Sequence, residues 1–329
     1  MIITRTPFRV TLGGGGTDLK SYYSKFGGFV LAATIDKYVY ITINRRTIDN
    51  VLWLSYSNIE TVKKINEIKH ELIREALKLV NIKNGIEIHS ITEVTSGTGL
   101  GSSGSFTIGL LNALHAYKRK YVPRAQLAEM ACKIEIDRLK KPIGKQDQYM
   151  ASFGGITCLD IDKLGKVKVS PLDISQDAVD ELEKNLLFFY TGVRRDSSYV
   201  LKGQNNASQS EDKKVLSAMH EIKDLGMEIK RALIKGDVDR FGKILDEHWK
   251  IKKTISDRMS TKEIDEYYEL AKKSGALGGK IMGAGGGGFF MFYCKDDKRR
   301  LREKMINRGL KEIRCRFDFE GSKVIANFF

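Results

Sequence analysis

Residues 97–105 read Gly-Thr-Gly-Leu-Gly-Ser-Ser-Gly-Ser and run straight into a helical pattern. That is the composition of a phosphate cradle. Glycines let backbone N–H groups approach an oxyanion and accept positive φ without steric cost. A helix that starts at once adds unpaired N–H donors and the positive end of its dipole. The donors would come from Gly97, Gly99, Leu100, Gly101, Ser102, Ser103 and Gly104. The tandem hydroxyls of Ser102 and Ser103 suit a Mg²⁺ ion that bridges phosphates; a serine-rich helix N-cap is the plain alternative. Two more glycine clusters, residues 13–16 and 283–288, sit near opposite ends of the chain. Together they suggest a ligand held by backbone from several segments, although each taken alone reads first as a sharp turn between strands.

Two familiar phosphate loops do not fit these letters. A Walker A loop ends in Gly-Lys-Ser/Thr, and no lysine lies between Thr92 and Ala116. Gly99, Gly101 and Gly104 match the dinucleotide pattern G-x-G-x-x-G, but that pattern wants an acidic residue about 20 positions on. None occurs between Phe106 and Ala128.

The elements that would position these loops follow from periodicity. Residues 1–12 are rich in β-branched types and read as a strand ending in the first glycine turn, which places Arg9 and Asp18 on opposite sides of one tight loop. Residues 28–45 and 85–91 also read as strands, and an apolar stripe from Ile65 to Val80 predicts a helix over residues 66–79. Phe106, Leu110, Leu114 and Tyr117 predict a helix over 105–118, followed by another over 123–139. Residues 154–162 and 166–172 form a hairpin pattern, and 186–190 an apolar strand near a domain boundary. Helical patterns dominate 210–274; then come the apolar strand 289–294, a helix over 297–307 and a final strand pair.

Taken in order, the three glycine segments resemble those of the GHMP kinases, the superfamily of galactokinase, homoserine kinase, mevalonate kinase and phosphomevalonate kinase. Pro7, Arg9, Val10, Leu12, Gly14, Thr17 and Asp18 match the galactokinase-type first motif without gaps. Residues 99–103 resemble the ATP loop Gly-Leu-Gly-Ser-Ser, residues 283–288 the C-terminal Gly-Ala-Gly-x-Gly-Gly loop, and residues 144–148 the Gly-x-x-Asp-Gln of sugar-directed members. Two departures stand out: Thr95 and Ser96 occupy the place of the usual proline before the ATP loop, and Gly15 and Gly16 replace the Glu-His of galactokinase. A four-glycine run ending in Thr-Asp resembles the branch that phosphorylates the anomeric hydroxyl of D-glycero-D-manno-heptose 7-phosphate; L-fucose kinases carry a related version.

The resemblance implies an α+β, two-domain GHMP kinase fold. A ribosomal-S5-like N-terminal domain would span residues 1–185 and a ferredoxin-like C-terminal domain residues 186–329, with the active site in the cleft between them. It implies ATP and Mg²⁺ as cofactors, with Ser103 and Glu135 as metal ligands. Asp147 is the candidate base, or the group that only orients the acceptor hydroxyl, and Arg9 stands beside it as a counter-charge that also stabilises the transferring phosphoryl group. Asp18, Gly15, Gly16, Thr17, Gly285 and Gly286 are expected to line the sugar site. The glycine run would leave room for an acceptor longer than a hexose, and Arg194 and Arg195 would grip a remote phosphate. The expected product is the 1,7-bisphosphate, for nucleotide-activated heptose synthesis; L-fucose, galactose or mevalonate are the alternatives within the superfamily, and the first motif argues against mevalonate.

Composition sets the remaining bounds. At 329 residues and 42% hydrophobic content the chain suits two ordinary domains, and its longest apolar runs are too short to span a bilayer. Cys132, Cys158, Cys294 and Cys315 lack metal-ligand spacing and read as reduced thiols of a cytoplasmic enzyme. The formal charge of +15 favours polyanions such as ATP and a sugar phosphate. It would also fit a basic S5-like RNA-binding protein, but clusters such as residues 138–141 and 298–300 contain no interleaved aromatics, so no nucleic-acid partner and no membrane partner is expected. Oligomeric state leaves no sequence signature here.

Overall fold

Two long neighbouring strands form the axis of the larger sheet. β1 (Ile2–Gly13) and β2 (Gly28–Arg45) pair antiparallel, with register shifts after Pro7 and Thr11. The computed structural model describes residues 1–193, 213–256, 259–283 and 285–329. β2 is long enough to serve two partners on its other side: its first half pairs with β6 (Ile156–Ile161) and its second half with β5 (Ile86–Thr92). β3 (Leu52–Ser55), β4 (Ile59–Val62) and β7 (Val167–Pro171) extend the sheet, and β12 (Lys323–Asn327) closes its far edge against β1. A second, four-stranded antiparallel sheet has the order β11 (Lys311–Ile313), β8 (Leu186–Tyr190), β10 (Phe289–Tyr293), β9 (Gly278–Ile281). The architecture is α+β.

The helix Ser102–Tyr117 lies across β1 and β2 and is apolar on nearly every side, as a fully enclosed helix must be. Its first turn starts at Ser102, three residues before the pattern predicts, because Gly101 in the left-handed region lets the glycine loop turn directly into it. The helices Lys213–Ile234 and Val238–Thr254 pack on each other, the first against β1 and β2 and the second against β9. The core therefore runs without a break from the first sheet to the second.

Several elements differ from expectation. The helix predicted over 66–79 begins only at Glu71: a short turn at Ile65–Glu67 precedes it, and His70 caps it by accepting from the Ile73 N–H at 3.4 Å. The segment over 123–139 is an α-helix only to Cys132 and continues as a π turn, Lys133–Arg138. The last two strands are not a pair, since β11 joins β8 while β12 joins β1. Three helices among the described residues were not predicted, Lys20–Phe26, Gln146–Phe153 and Gln176–Asn185, of which Gln146–Phe153 carries no strong periodic signal.

Candidate active site

β1 delivers Arg9 into the interior, where its backbone N–H donates to the Leu100 carbonyl at 3.0 Å. The guanidinium donates to Asp147 Oδ1 from Nε at 2.8 Å, with Nη2 2.7 Å from the same oxygen, and Nη1 donates to the Gly99 carbonyl. Asp147 stands in the first turn of the helix Gln146–Phe153, where the dipole favours a carboxylate. Its side chain keeps 20% exposure against 5% for Arg9, so one face of the carboxylate stays open to a ligand. Gly104 packs directly against Asp147, where a Cβ would come within 2.6 Å of the aspartate Cβ, so the glycine sets how closely phosphate loop and carboxylate approach.

Asp18 is buried and accepts from the backbone N–H of Gly16 and of Gln146, each at 3.1 Å, and from Gln146 Nε2 at 3.4 Å. Burial pushes its carboxyl above the usual range, opposed by the Gln146 N–H and aided by the nearby Asp147 charge. A Cβ at Gly144 would overlap the Asp18 carboxylate, so this glycine is a packing requirement of the site. Gln146 is fixed in turn by Thr11, whose hydroxyl donates to Gln146 Oε1 at 2.7 Å.

Glu135 sits on the π turn, fully buried, and its Oε2 accepts from the Ser103 hydroxyl while Gln148 Nε2 donates to Oε1 at 2.9 Å. Burial raises its pKa, with the Ser103 hydrogen bond and the Lys141 ammonium, 4.0 Å away, pulling the other way. π turns within α-helices often mark functional positions; here the extra residue turns Glu135 toward the phosphate loop. Among the described residues no three His, Cys, Asp or Glu side chains lie together as a metal cage. A hydroxyl beside a carboxylate is a hard oxygen pair that fits Mg²⁺, which keeps waters and takes phosphate oxygens for the rest of its shell.

These groups open onto a cavity of about 120 Å³ between the first motif, the phosphate loop and the third glycine loop, reached by Gly15, Gly16, Gly97, Gly99, Gly101, Ser102, Ser103 and Gly283. The other expected residues lie apart from it. Leu100 is buried, Thr17 spends its hydroxyl on the Gly14 and Phe29 carbonyls, and Gly285 and Gly286 face Met259. Arg194 and Arg195 lie outside the described residues. The four-glycine run does not clear space throughout: a Cβ at Gly13 would strike Gly226, and one at Gly14 would overlap the Phe29 carbonyl, so half of the run serves packing.

Sequence reasoning missed three cavity residues, His248, Lys252 and Lys280. The signal was there: His248 and Lys252 are four apart on one helix face, and Lys280 interrupts an apolar strand just before the third glycine loop. It also missed a second cavity of about 480 Å³ that shares Gly97, Ser102 and Ser103 and is walled by Tyr56, His70 and Phe106. There the His70 ring lies 4.5 Å from that of Tyr56 and 5.0 Å from that of Phe106, and Glu60 fixes the pair by accepting from the Tyr56 hydroxyl and the His70 N–H.

The arrangement of glycine loops, ion pair and hydroxyl–carboxylate pair defines a phosphotransferase site, and the chain belongs to the GHMP kinases. The family model for the GHMP kinases N terminal domain matches residues 63–155, and that for the GHMP kinases C terminal matches 229–311. The D-glycero-alpha-D-manno-heptose 7-phosphate kinase of Campylobacter jejuni is 32% identical over 310 residues, covering 91% of each chain. A galactokinase of Pyrococcus furiosus is 28% identical and covers 99% of this chain and 97% of its own. The crystal structure of a D-glycero-D-manno-heptose 1-phosphate kinase from Bacteroides thetaiotaomicron superposes with a TM-score of 0.82 at 25% identity, over the full length of both chains. The fold is the two-domain GHMP kinase fold. No described helix is long and apolar enough to cross a membrane.

Proposed function

We propose that this protein transfers the γ-phosphoryl group of ATP to the anomeric hydroxyl of D-glycero-α-D-manno-heptose 7-phosphate, giving the 1,7-bisphosphate. The observation that carries the phosphotransfer is the Arg9–Asp147 pair, buried on the arginine side and open on the aspartate side, at the mouth of the phosphate loop. The choice of acceptor rests on the likeness to the Campylobacter jejuni enzyme. We place the boundary between the two lobes at residues 185 and 186, where the chain enters β8.

Phosphoryl transfer asks the protein mainly to position the reactants and to neutralise charge. The amides of residues 97–104 hold the nucleotide phosphates, and the cavity walled by Tyr56, His70 and Phe106 takes the base. Ser103 and Glu135 would hold Mg²⁺, which when bound offsets the charge of the phosphates. Asp147 accepts the hydrogen bond of the acceptor hydroxyl, orienting its oxygen and taking its proton as the new bond forms. Arg9 keeps the carboxylate in one rotamer and directs positive charge at the transferring group. Asp18, locked by Gly16 and Gln146, presents a fixed acceptor to the hydroxyls of the sugar ring.

The test is ATP consumption over a panel of phosphorylated and free sugars, with phosphorus NMR of the product to locate the new phosphate. Charge-assisted hydrogen bonds contribute about 1.5–3 kcal/mol each. Two of them to the distal phosphate would favour the heptose 7-phosphate over the free heptose by about two to four orders of magnitude in kcat/KM. Equal or better activity on L-fucose or galactose would overturn the acceptor and leave the kinase standing.

A further inference from the structure

Around the main cavity, positive charge exceeds its partners. Arg9 is matched by Asp147, and Asp18 already accepts three hydrogen bonds from Gly16 and Gln146. Lys252 and Lys280 are both buried and have no carboxylate within ion-pair distance among the described residues. Each ammonium makes one hydrogen bond to a backbone carbonyl: Lys252 Nζ to Gly283 at 2.7 Å, and Lys280 Nζ to Leu12 at 3.2 Å. An ammonium carries three donors, so most of this capacity is unused. His248 adds a second, independent observation. It is 1% exposed, it lines the same cavity, and neither ring nitrogen has a partner.

Buried cations without counter-charge are expensive, as is a buried imidazole without hydrogen bonds. One group answers both: a dianion with several oxygens. We infer that His248, Lys252 and Lys280 form a subsite for a phosphate monoester carried by the acceptor itself. This rests on the function proposed above and assigns its distal phosphate to three residues of the C-terminal lobe. The location favours the acceptor over the nucleotide. Lys280 is tied to Leu12, at the entrance to the first glycine turn, and the cavity that the three residues share is walled by Asp18, Gly15 and Gly16. Burial pulls the Lys252 pKa down to about 8, with Arg9 adding to the shift and Asp18 opposing it, and burial together with Lys252 and Arg9 pulls that of Lys280 well below its usual value. An arriving phosphate relieves that penalty.

Lys252→Met and Lys280→Met keep the volume of the side chain and remove its charge. The readout is the ratio of kcat/KM for heptose 7-phosphate to that for the unphosphorylated heptose, with thermal melting as the check on folding. The subsite requires this ratio to fall about 10- to 100-fold in each folded variant, the weight of a lost charge-assisted hydrogen bond. A ratio equal to that of the wild type, with both acceptors slowed alike, would assign the lysines to the transferring phosphoryl group and overturn the proposal. A second arm uses inorganic phosphate as the probe, by calorimetry on protein saturated with a non-hydrolysable ATP analogue. Phosphate binding that is lost in the Lys252→Met, Lys280→Met double variant supports the subsite even where the wild type turns over no heptose. Phosphate binding that survives in the double variant overturns it.

Discussion

The two sides of the cavity handle charge in opposite ways. On the N-terminal side the charged groups have partners within the protein: Arg9 with Asp147, Asp18 with Gln146 and Gly16, Glu135 with Ser103 and Gln148. On the C-terminal side His248, Lys252 and Lys280 are buried with almost nothing opposite them. The matched side holds its geometry before any ligand arrives, which suits groups that must meet a reacting oxygen at fixed distance. The unmatched side leaves a demand that only an anion satisfies, so it acts on which ligand binds.

The largest effect should come from breaking the matched side at its open member. Asp147→Asn removes the proton acceptor but keeps the shape, and is expected to lower kcat about 10²- to 10⁴-fold. Nucleotide binding, followed by titration, should hold near the wild-type value, because the proposed role of Asp147 is toward the acceptor oxygen and not the nucleotide. Wild-type turnover in this variant would remove Asp147 from the mechanism. A smaller effect is expected one layer further out. Gln148→Met strips Glu135 of its second hydrogen bond, and support groups of this kind are worth about 10- to 100-fold in metal affinity. The Mg²⁺ concentration for half-maximal rate should rise accordingly, and an unchanged Mg²⁺ dependence would argue against Glu135 as a ligand.

Two predictions sharpen the unmatched side. Lys252 has a folded-state pKa of about 8, below its ordinary value. Across the interval above pH 8 the unfolded chain binds more protons than the folded one, so this group makes the wild type gain stability as pH rises. Lys252→Met lacks that gain. The Tm difference between variant and wild type should therefore move in favour of the wild type between pH 8 and 10, and a difference flat in pH would mean that the ammonium is not desolvated. Phosphate binding should weaken over the same interval, as Lys252, flanked by Arg9, Asp18, Lys280 and His248, loses its charge. The smallest effect concerns salt. Buried cations are screened far less than exposed ones, so raising KCl from about 0.05 to 0.5 M should change the preference for the phosphorylated acceptor less than about twofold. A steep fall would point to cations on the surface instead.

Much of the matched side was legible in the sequence because glycine loops are written in residue identity. Arg9, Asp18, Ser103, Glu135 and Asp147 sit at fixed offsets within or near those loops, and the folded chain brings them around one cavity or its immediate wall. What was not legible depends on approach through space. Gly13 and Gly14 look like open room in the sequence but are filled by Gly226 and Phe29. The π turn that carries Glu135 reads as ordinary helix, because it changes the direction of a side chain without changing composition. The helix Gln146–Phe153 escapes because its buried residues include Gln148 and Ser152, which obscure the apolar period. Lys280 was passed over because lysine is read as solvated by default; only its strand, enclosed on all sides, shows otherwise.

The outer edge of β1 is completed by β12, with Ile2 opposite Asn327 and Thr4 opposite Val324. During synthesis the strand that carries Arg9 emerges long before its edge partner, with the rest of both sheets lying between them in the chain. Until then a row of backbone donors and acceptors on β1 is free to pair with any passing strand, the kind of exposure that leads nascent chains into aggregates. Such pairing between distant segments also slows folding. Newly made copies of this protein should therefore depend on chaperone shielding until β12 clears the ribosome, a burden that a variant with β12 moved ahead of β1 by circular permutation would not carry.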